Sequence, residues 1–458
     1  MSLSDKQKEI LLPYQVTNAE NIIRILKNNK TALDASDTGT GKTYTAVAAC
    51  KAMRKRPLVV CPKAVMANWK RVCKLFNADP FFIVNYETLK NLKYYDNSGN
   101  RIKCPYISYD DHTKKYNWID IPEDVVFIYD EAHKCSGLST FNGALLLATK
   151  ESTTNNILLL SATIADHPEK FKIFFYILNF ISEEQAKQAG LDFKKYMRII
   201  DNWILRDGKP MARIHRMLVP DRSSRMSIDV IPDFPETQIS AVPYSMGQKR
   251  EAEIEVQYQI IYEELEALKD KTKKDKGNPL VRILRAHQKI ELLKVPLFVE
   301  LANDFMNDGT SVCIFVNFTA TLKMLAELLF TDCLIYGEQN DNDRQHNIEM
   351  FQNNKEKLII CNIKAGGVGI SLHDIHGGHR RVSIISPTWS ATDLTQCLGR
   401  IHRAGAKTKS LQRIIYVSNT PEEKIADKLQ IKLKDLNSIN NGDVDLTNIT
   451  FEKKIQEM

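Results

Sequence analysis

The chain has 458 residues, 43% hydrophobic and 26% charged, a balance that fits two or three globular domains and excludes disordered and fibrous classes. Its formal net charge of +7 permits a polyanionic partner without requiring one. Nine cysteines, never in Cys-x-x-Cys spacing, argue against a zinc or disulfide framework and for reduced thiols in a cytosolic compartment; with no leader-like N-terminus and no bilayer-length apolar run, a secreted or membrane-embedded protein is not expected.

In chain order, Leu11-Leu12-Pro13-Tyr14-Gln15 opens a helix whose Ile22, Ile23, Ile25 and Leu26 are spaced to face a core. Gln15 offers both an acceptor and donors, the set an adenine edge requires. The apolar run from Thr31 to Ala35 then leads into Ser36-Asp37-Thr38-Gly39-Thr40-Gly41-Lys42-Thr43 and a second helical stretch. Strand, tight loop and helix in this order make a triphosphate site. Glycines 39 and 41 let backbone N–H groups turn inward, Lys42 reaches the β- and γ-phosphates, and the Thr43 hydroxyl is suited to Mg2+. Ser36 stands where the usual pattern has its first glycine.

Strand-like runs at 57–62, 81–86, 125–129 and 157–160 alternate with helical ones, which predicts a parallel sheet covered on both faces. The third run ends in Asp130-Glu131-Ala132-His133. An acid at a buried strand end can hold Mg2+ through water, and its neighbour can deprotonate the attacking water, so Asp130 is the metal residue and Glu131 the base. Between these runs, Asp96 to Asn100 is a strong turn signal flanked by Tyr94, Tyr95, Tyr106, Tyr109, Tyr116 and Trp118. It predicts a β-hairpin insertion over 94–118, its aromatics either packed on their own lobe or stacked on unpaired nucleotides at a junction.

Residues 206–228, rich in arginine and poor in periodic apolar positions, are expected to cross from an N-terminal domain (1–205) to a C-terminal domain (229–458). A helix carrying Ile254, Tyr258, Ile261, Tyr262 and Leu265 follows, then a charged, solvated loop at 269–276. A second alternation starts at Val312 and runs to Val417, interrupted by Gly366, Gly367 and Gly369 and by Gln396-Cys397-Leu398-Gly399-Arg400-Ile401-His402-Arg403. The spacing puts Arg400 and Arg403 on one side of a helix, as arginine fingers would be.

Gln15, Ser36 to Thr43, Asp130 to His133, Ser161-Ala162-Thr163, Gly366 to Gly369 and Gln396 to Arg403 resemble, in order and spacing, the motifs of superfamily 2 helicases over nearly the whole chain. Pro62-Lys63 with Asn68-Trp69, Tyr86-Glu87-Thr88-Leu89, Asn317-Phe318-Thr319 and Trp389 resemble the Swi/Snf branch, and the nearest likeness is to small phage or viral annealing and branch-migration motors. Two departures stand out: Ser161-Ala162-Thr163-Ile164 is closer to the Asp-Glu-Ala-His helicases, and the helical insertions of chromatin remodellers are not expected.

The resemblance implies an α/β chain of two RecA-like lobes with ATP and Mg2+ between them and DNA, duplex or branched, gripped by its backbone. Catalytic residues would be Lys42, Glu131, Gln396, Arg400 and Arg403, with Gly369 also touching ATP; His133, Ser161, Ala162 and Thr163 would couple the sites. Pro62, Lys63, Asn68, Trp69, Tyr86, Thr88, Asn317, Thr319, Gly366, Gly367 and Trp389 would hold the nucleic acid. The implied activity is a DNA translocase of replication, recombination or repair, working with proteins of those processes in the cytoplasm or nucleus; an RNA or transcription-complex motor and an ATP-gated clamp are the alternatives.

Overall fold

The structure, a computed structural model, describes residues 2–96, 98–162, 164–165, 168–205, 210–228, 231, 237–269, 277–366, 370–388, 390–424 and 449–451. Thr163, Gly367, Gly369, Trp389 and most of the charged run at 269–276 lie outside them. The chain divides into two compact units, Met1–Asp233 with Lys434–Leu446, and Phe234–Leu433 with Thr447–Met458.

The first unit is built on β1 (Thr31–Asp34), β2 (Arg56–Cys61), β3 (Phe82–Asn85), two hairpins formed by β4 (Lys93–Tyr95) with β5 (Arg101–Lys103) and β6 (Ile107–Asp110) with β7 (Lys115–Trp118), then β8 (Val125–Asp130), β9 (Asn156–Leu160) and β10 (Ser223–Ser224). Six of these form one parallel sheet in the order β10-β1-β9-β8-β2-β3. Along β8, Val125, Phe127 and Tyr129 join one core while Val126 and Ile128 join the other, because successive side chains alternate between two covered faces. The Pro13–Asn29 and Lys42–Ala52 helices lie against the second of these cores.

The insertion expected at 94–118 is two hairpins, and its aromatics point inward. Tyr116 and Trp118 are buried, the Trp118 ring lies 4.9 Å from Phe127, and its Nε1 donates to Thr149 Oγ1 at 2.9 Å. Tyr94 and Tyr106 pack on Phe82 and Phe81. Drawing such a ring out of the core would cost roughly 1.5–3 kcal/mol, so these rings are core and not a stacking wedge.

The expected crossing at 206–228 belongs to the first unit instead. β10 pairs in parallel with β1, Leu33 opposite Ser223. Its arginines are pinned to that unit: Arg213 lies over the Trp203 ring, Arg222 over Phe180 while donating to Leu178 O, and Arg225 pairs with Asp37. Arginine density here marks cation–π and carbonyl anchoring, which composition does not distinguish from a linker. The first unit runs to Asp233 and the second starts at Phe234, where the sequence had a linker over 206–228 and a C-terminal domain from 229.

In the second unit, β11 (Thr237–Tyr244), β12 (Ser311–Val316), β13 (Leu334–Ile335), β14 (Leu358–Asn362), β15 (Arg381–Ile385), β16 (Ser410–Val417) and β17 (Ile449–Phe451) form, among the described residues, a seven-stranded parallel sheet in the order β13-β14-β12-β15-β16-β11-β17. On the Gln248–Lys269 helix Ile254, Tyr258 and Ile261 are buried, whereas Tyr262 and Leu265 of the same expected set are exposed. That helix packs against a second, Gly277–Leu293, so a helical pair precedes the Asn317 segment. Among the described residues no helix is long and apolar enough to cross a membrane.

Candidate functional site

In a parallel sheet every strand ends on the same edge, and the loops that leave β1, β2, β3, β8 and β9 carry the candidate residues of the first unit. The loop after β1 turns through Gly39 (φ 88°) and Gly41 (φ 99°), backbone values that side-chain-bearing residues rarely take. At Gly41 a β-carbon would sit 2.2 Å from Gln15 Nε2. Lys42 Nζ donates to the carbonyls of Ser36 and Asp37 at 2.7 and 3.1 Å, so the ammonium lies within the arch.

Three side chains hold this loop, and of them only Asp34 lies outside the expected Ser36–Thr43 set. Asp34, fully buried, accepts from Asn18 Nδ2, Thr45 Oγ1 and Ser36 N, and burial raises its pKa despite the nearby Lys42 charge. Ser36 Oγ accepts from Met226 N at 2.8 Å, a bond glycine could not make, which accounts for the departure at this position. Asp37 takes Arg225 at 2.7 Å and Ile228 N at 2.9 Å. The 223–228 segment is therefore the wall of the phosphate loop; only its apolar-poor, arginine-rich composition was visible beforehand.

Gln15 is buried, its Oε1 accepting from Leu12 N and its Nε2 donating to Thr40 O. Its amide ties the helix start to the loop, using one of its two N–H donors and one of its two acceptor sites.

At the end of β8, Asp130 accepts from Trp69 Nε1 at 2.8 Å and from Glu131 N at 3.0 Å, and its carbonyl accepts from Tyr86 Oη at 2.8 Å. Burial first, then the Glu131 charge, raise the Asp130 carboxyl to about 6, against the pull of Trp69 and Lys42. Glu131 sits at φ 55°, a left-handed conformation that costs a non-glycine residue on the order of 1 kcal/mol and turns its carboxylate to within 3.4 Å of His133 Nδ1. The same nitrogen is 3.2 Å from Ser161 Oγ, at the end of β9. Glu131, His133 and Ser161 thus form one contact chain; Ala162 follows it, buried.

Several expected nucleic-acid residues are corrected by their burial. Trp69 (0% exposed), Tyr86 (1%) and Thr88 (2%) have no surface to offer a phosphodiester strand; Trp69 and Tyr86 converge on Asp130, and the Thr88 N–H donates to the Asn85 side chain that caps its helix. A long aromatic in a surface motif satisfies the motif equally well by facing inward. Lys63 is exposed and Asn68 half-buried, beside buried Pro62. Trp69→Phe keeps the ring but leaves a buried carboxylate oxygen short of a donor, at a cost of about 1.5–3 kcal/mol. A double-mutant cycle with Asp130→Asn should show coupling of at least about 0.5 kcal/mol by thermal unfolding; additive effects would mean the bond is idle.

In the second unit, Asn317 leaves β12 held by Glu291 Oε1 at 2.9 Å, Ser386 Oγ and Pro387 O. With Phe318, Lys364 and Thr388 it lines a cavity of about 250 Å³; Thr319 begins the next helix and Gly366 ends the short Ile363–Gly366 helix. The arginines are corrected. The helix ends at Leu398, and Arg400 beyond it is 1% exposed, donating to Gln396 O at 2.7 Å and Ile370 O at 3.1 Å. Arg400 is an internal strut, and buried Gln396 supplies its carbonyl. Arg403 is half-buried, donating to Gly399 O and Ser371 Oγ, and is the more accessible of the two.

Comparison with known proteins follows the same division. Residues 8–166 match the family described as type III restriction enzyme, res subunit, and residues 292–405 match the helicase conserved C-terminal domain. A protein of Acanthamoeba polyphaga mimivirus, named as an ATP-dependent RNA helicase, is 39% identical over 97% of this chain and 86% of its own length. The human SWI/SNF-related matrix-associated actin-dependent regulator of chromatin subfamily A member 1 is 22% identical over 93% of this chain, which spans 43% of that relative. Among solved structures, a single-substitution variant of S. cerevisiae Dbp5 bound to RNA and ADP BeF3 covers 98% of this chain and 95% of its own, with 12% identity and a TM-score of 0.50, a likeness of fold.

Proposed function

The chain belongs to the superfamily 2 helicases, with the Swi/Snf ATPases among its homologues, and from that premise we propose that it is a motor that translocates along duplex or branched DNA in replication, recombination or repair. Nucleic-acid-dependent ATP hydrolysis is the activity of the family. The observation that carries the reading is the approach of Lys42 to Asp130 across the carboxyl edge of one sheet, with β9 between their strands.

Bound ATP and Mg2+ supply the phosphoanhydride to be broken and the charge that neutralises its oxygens. The donor set fits them. Lys42 and the first N–H groups of the Lys42–Ala52 helix bind anionic oxygens. Among the described residues no three His, Cys, Asp or Glu side chains converge on a metal-sized site. Mg2+ would therefore be held, as it commonly is, by few protein oxygens, here Thr43 and Asp130. Glu131 orients the attacking water and accepts its proton at the carboxylate; His133 and Ser161 carry the position of that carboxylate to the β9 loop. Nine free, buried cysteines support a reducing compartment, cytoplasmic or nuclear.

The name of the mimivirus relative favours a second reading in which the track is RNA. A clamp without turnover has no use for Glu131. ATPase rates measured with single-stranded DNA, duplex, a four-way junction and RNA separate these: stimulation by duplex or junction is expected, and stimulation by RNA alone overturns the DNA track.

A further inference from the structure

The two hairpins inserted between β3 and β8 differ in charge. In β4–β5, Lys93 lies directly opposite Lys103, Tyr95 opposite Arg101, and Tyr94 opposite Ile102. Directly opposite residues share a face, so Lys93, Lys103 and Arg101 stand together on one side while Tyr94 on the other packs into the core beside Phe82 and Tyr106. All three cations are exposed, and Lys90, exposed too, precedes them. The one carboxylate between residues 90 and 103, Asp96, closes the turn by accepting from Asn100 N at 2.8 Å.

The β6–β7 hairpin is balanced by contrast. Lys115 pairs with Glu151 at 3.0 Å, and Asp110 and Asp111 stand beside Lys114. Two lysines set opposite each other with no counter-charge on their strands repel, which lowers the stability of a short hairpin. An anionic partner turns that repulsion into attraction. The hairpin is also anchored to the carboxyl edge of the sheet: Tyr95 Oη lies 3.2 Å from Thr88 Oγ1, in the Tyr86–Leu89 helix that leaves β3.

We propose that the face of the β4–β5 hairpin bearing Lys93, Arg101 and Lys103 is a phosphodiester-binding surface that extends the nucleic-acid track of the first unit beyond the loops at its sheet edge. The inference rests on the motor reading above. It replaces stacking by buried aromatics with charge contact, and it takes backbone of any base sequence. The buried rings serve to hold the hairpin rigid.

The test uses the full chain with Lys93→Gln, Arg101→Gln and Lys103→Gln combined, and a Lys114→Gln control on the neighbouring hairpin. Binding of fluorescent duplex and junction DNA is titrated by anisotropy across salt concentrations, alongside ATPase with and without DNA. Loss of about three phosphate contacts should reduce the steepness of log affinity against log salt by ~2.7 and weaken binding more than tenfold at low salt. Basal ATPase and the rate at saturating DNA should stay at the parent level, and the control should match the parent throughout. An unchanged slope in the triple variant, with a DNA-stimulated parent, overturns this surface and leaves the motor intact. A parent whose ATPase ignores every nucleic acid overturns both. Equal loss of basal ATPase and thermal stability would make these residues structural and likewise overturn the proposal.

Discussion

Glu131→Gln should leave nucleotide binding near the parent level and reduce ATP turnover by ~10²–10⁴, the range that a positioned general base contributes. The carboxamide keeps the size and the His133 contact of the carboxylate but cannot take a proton from water. Lys42→Ala should fail earlier. It removes the ammonium that bridges Ser36 O and Asp37 O, and with it the positive charge that partly offsets burial of Asp34 and Asp130. Binding should therefore weaken along with turnover. Titration with a fluorescent ATP analogue beside steady-state phosphate release separates the two outcomes. Parent-rate turnover in Glu131→Gln would remove Glu131 as the base, and full-affinity binding by Lys42→Ala would remove the loop as the phosphate site.

Arg400→Ala should destabilise the second unit by about 3 kcal/mol, which lowers its unfolding midpoint by roughly 6–12 °C. Arg400 is among the largest fully buried side chains of the chain, and its truncation leaves a void and two carbonyls, Gln396 O and Ile370 O, without their charged donor. Arg403→Ala gives up bonds at a half-buried position and should cost about 1 kcal/mol. If Arg403 takes part in turnover as an arginine finger does, the nucleic-acid-stimulated rate should drop by ~10³ at nearly parent stability. Thermal unfolding read beside stimulated ATPase decides both. A stable Arg400→Ala protein would contradict the strut, and an unchanged rate in Arg403→Ala would exclude that residue from the chemistry.

The sheet strands carry period-free apolar runs such as Leu58 to Cys61 and Val125 to Tyr129, which only a strand covered on both faces requires, so the parallel sheets were legible from residues alone. β11 was not: Thr237 to Tyr244 mixes polar residues and a proline among apolar ones, and it becomes a strand because β16 and β17 flank it. The phosphate loop was readable because its function needs glycines and a lysine at fixed spacing. Its supports, Asp34, Asn18, Ser224 and Arg225, come from positions up to about two hundred residues apart, and no local pattern joins them.

Residue chemistry along the chain determined which groups are this protein's candidates for holding phosphate, activating water and following a backbone, because those groups sit in short loops whose spacing is itself the constraint. Which side of each motif faces water was decided only by the tertiary structure. Trp69, Tyr86 and Arg400 stand in motifs that look like grips and fingers, yet packing turns all three inward, two of them onto Asp130 and one onto the carbonyls of Gln396 and Ile370. A sequence records the donor; burial, which depends on every neighbour in the fold, selects the acceptor. The same selection left Lys93, Arg101 and Lys103 outside while their tyrosine neighbour went in.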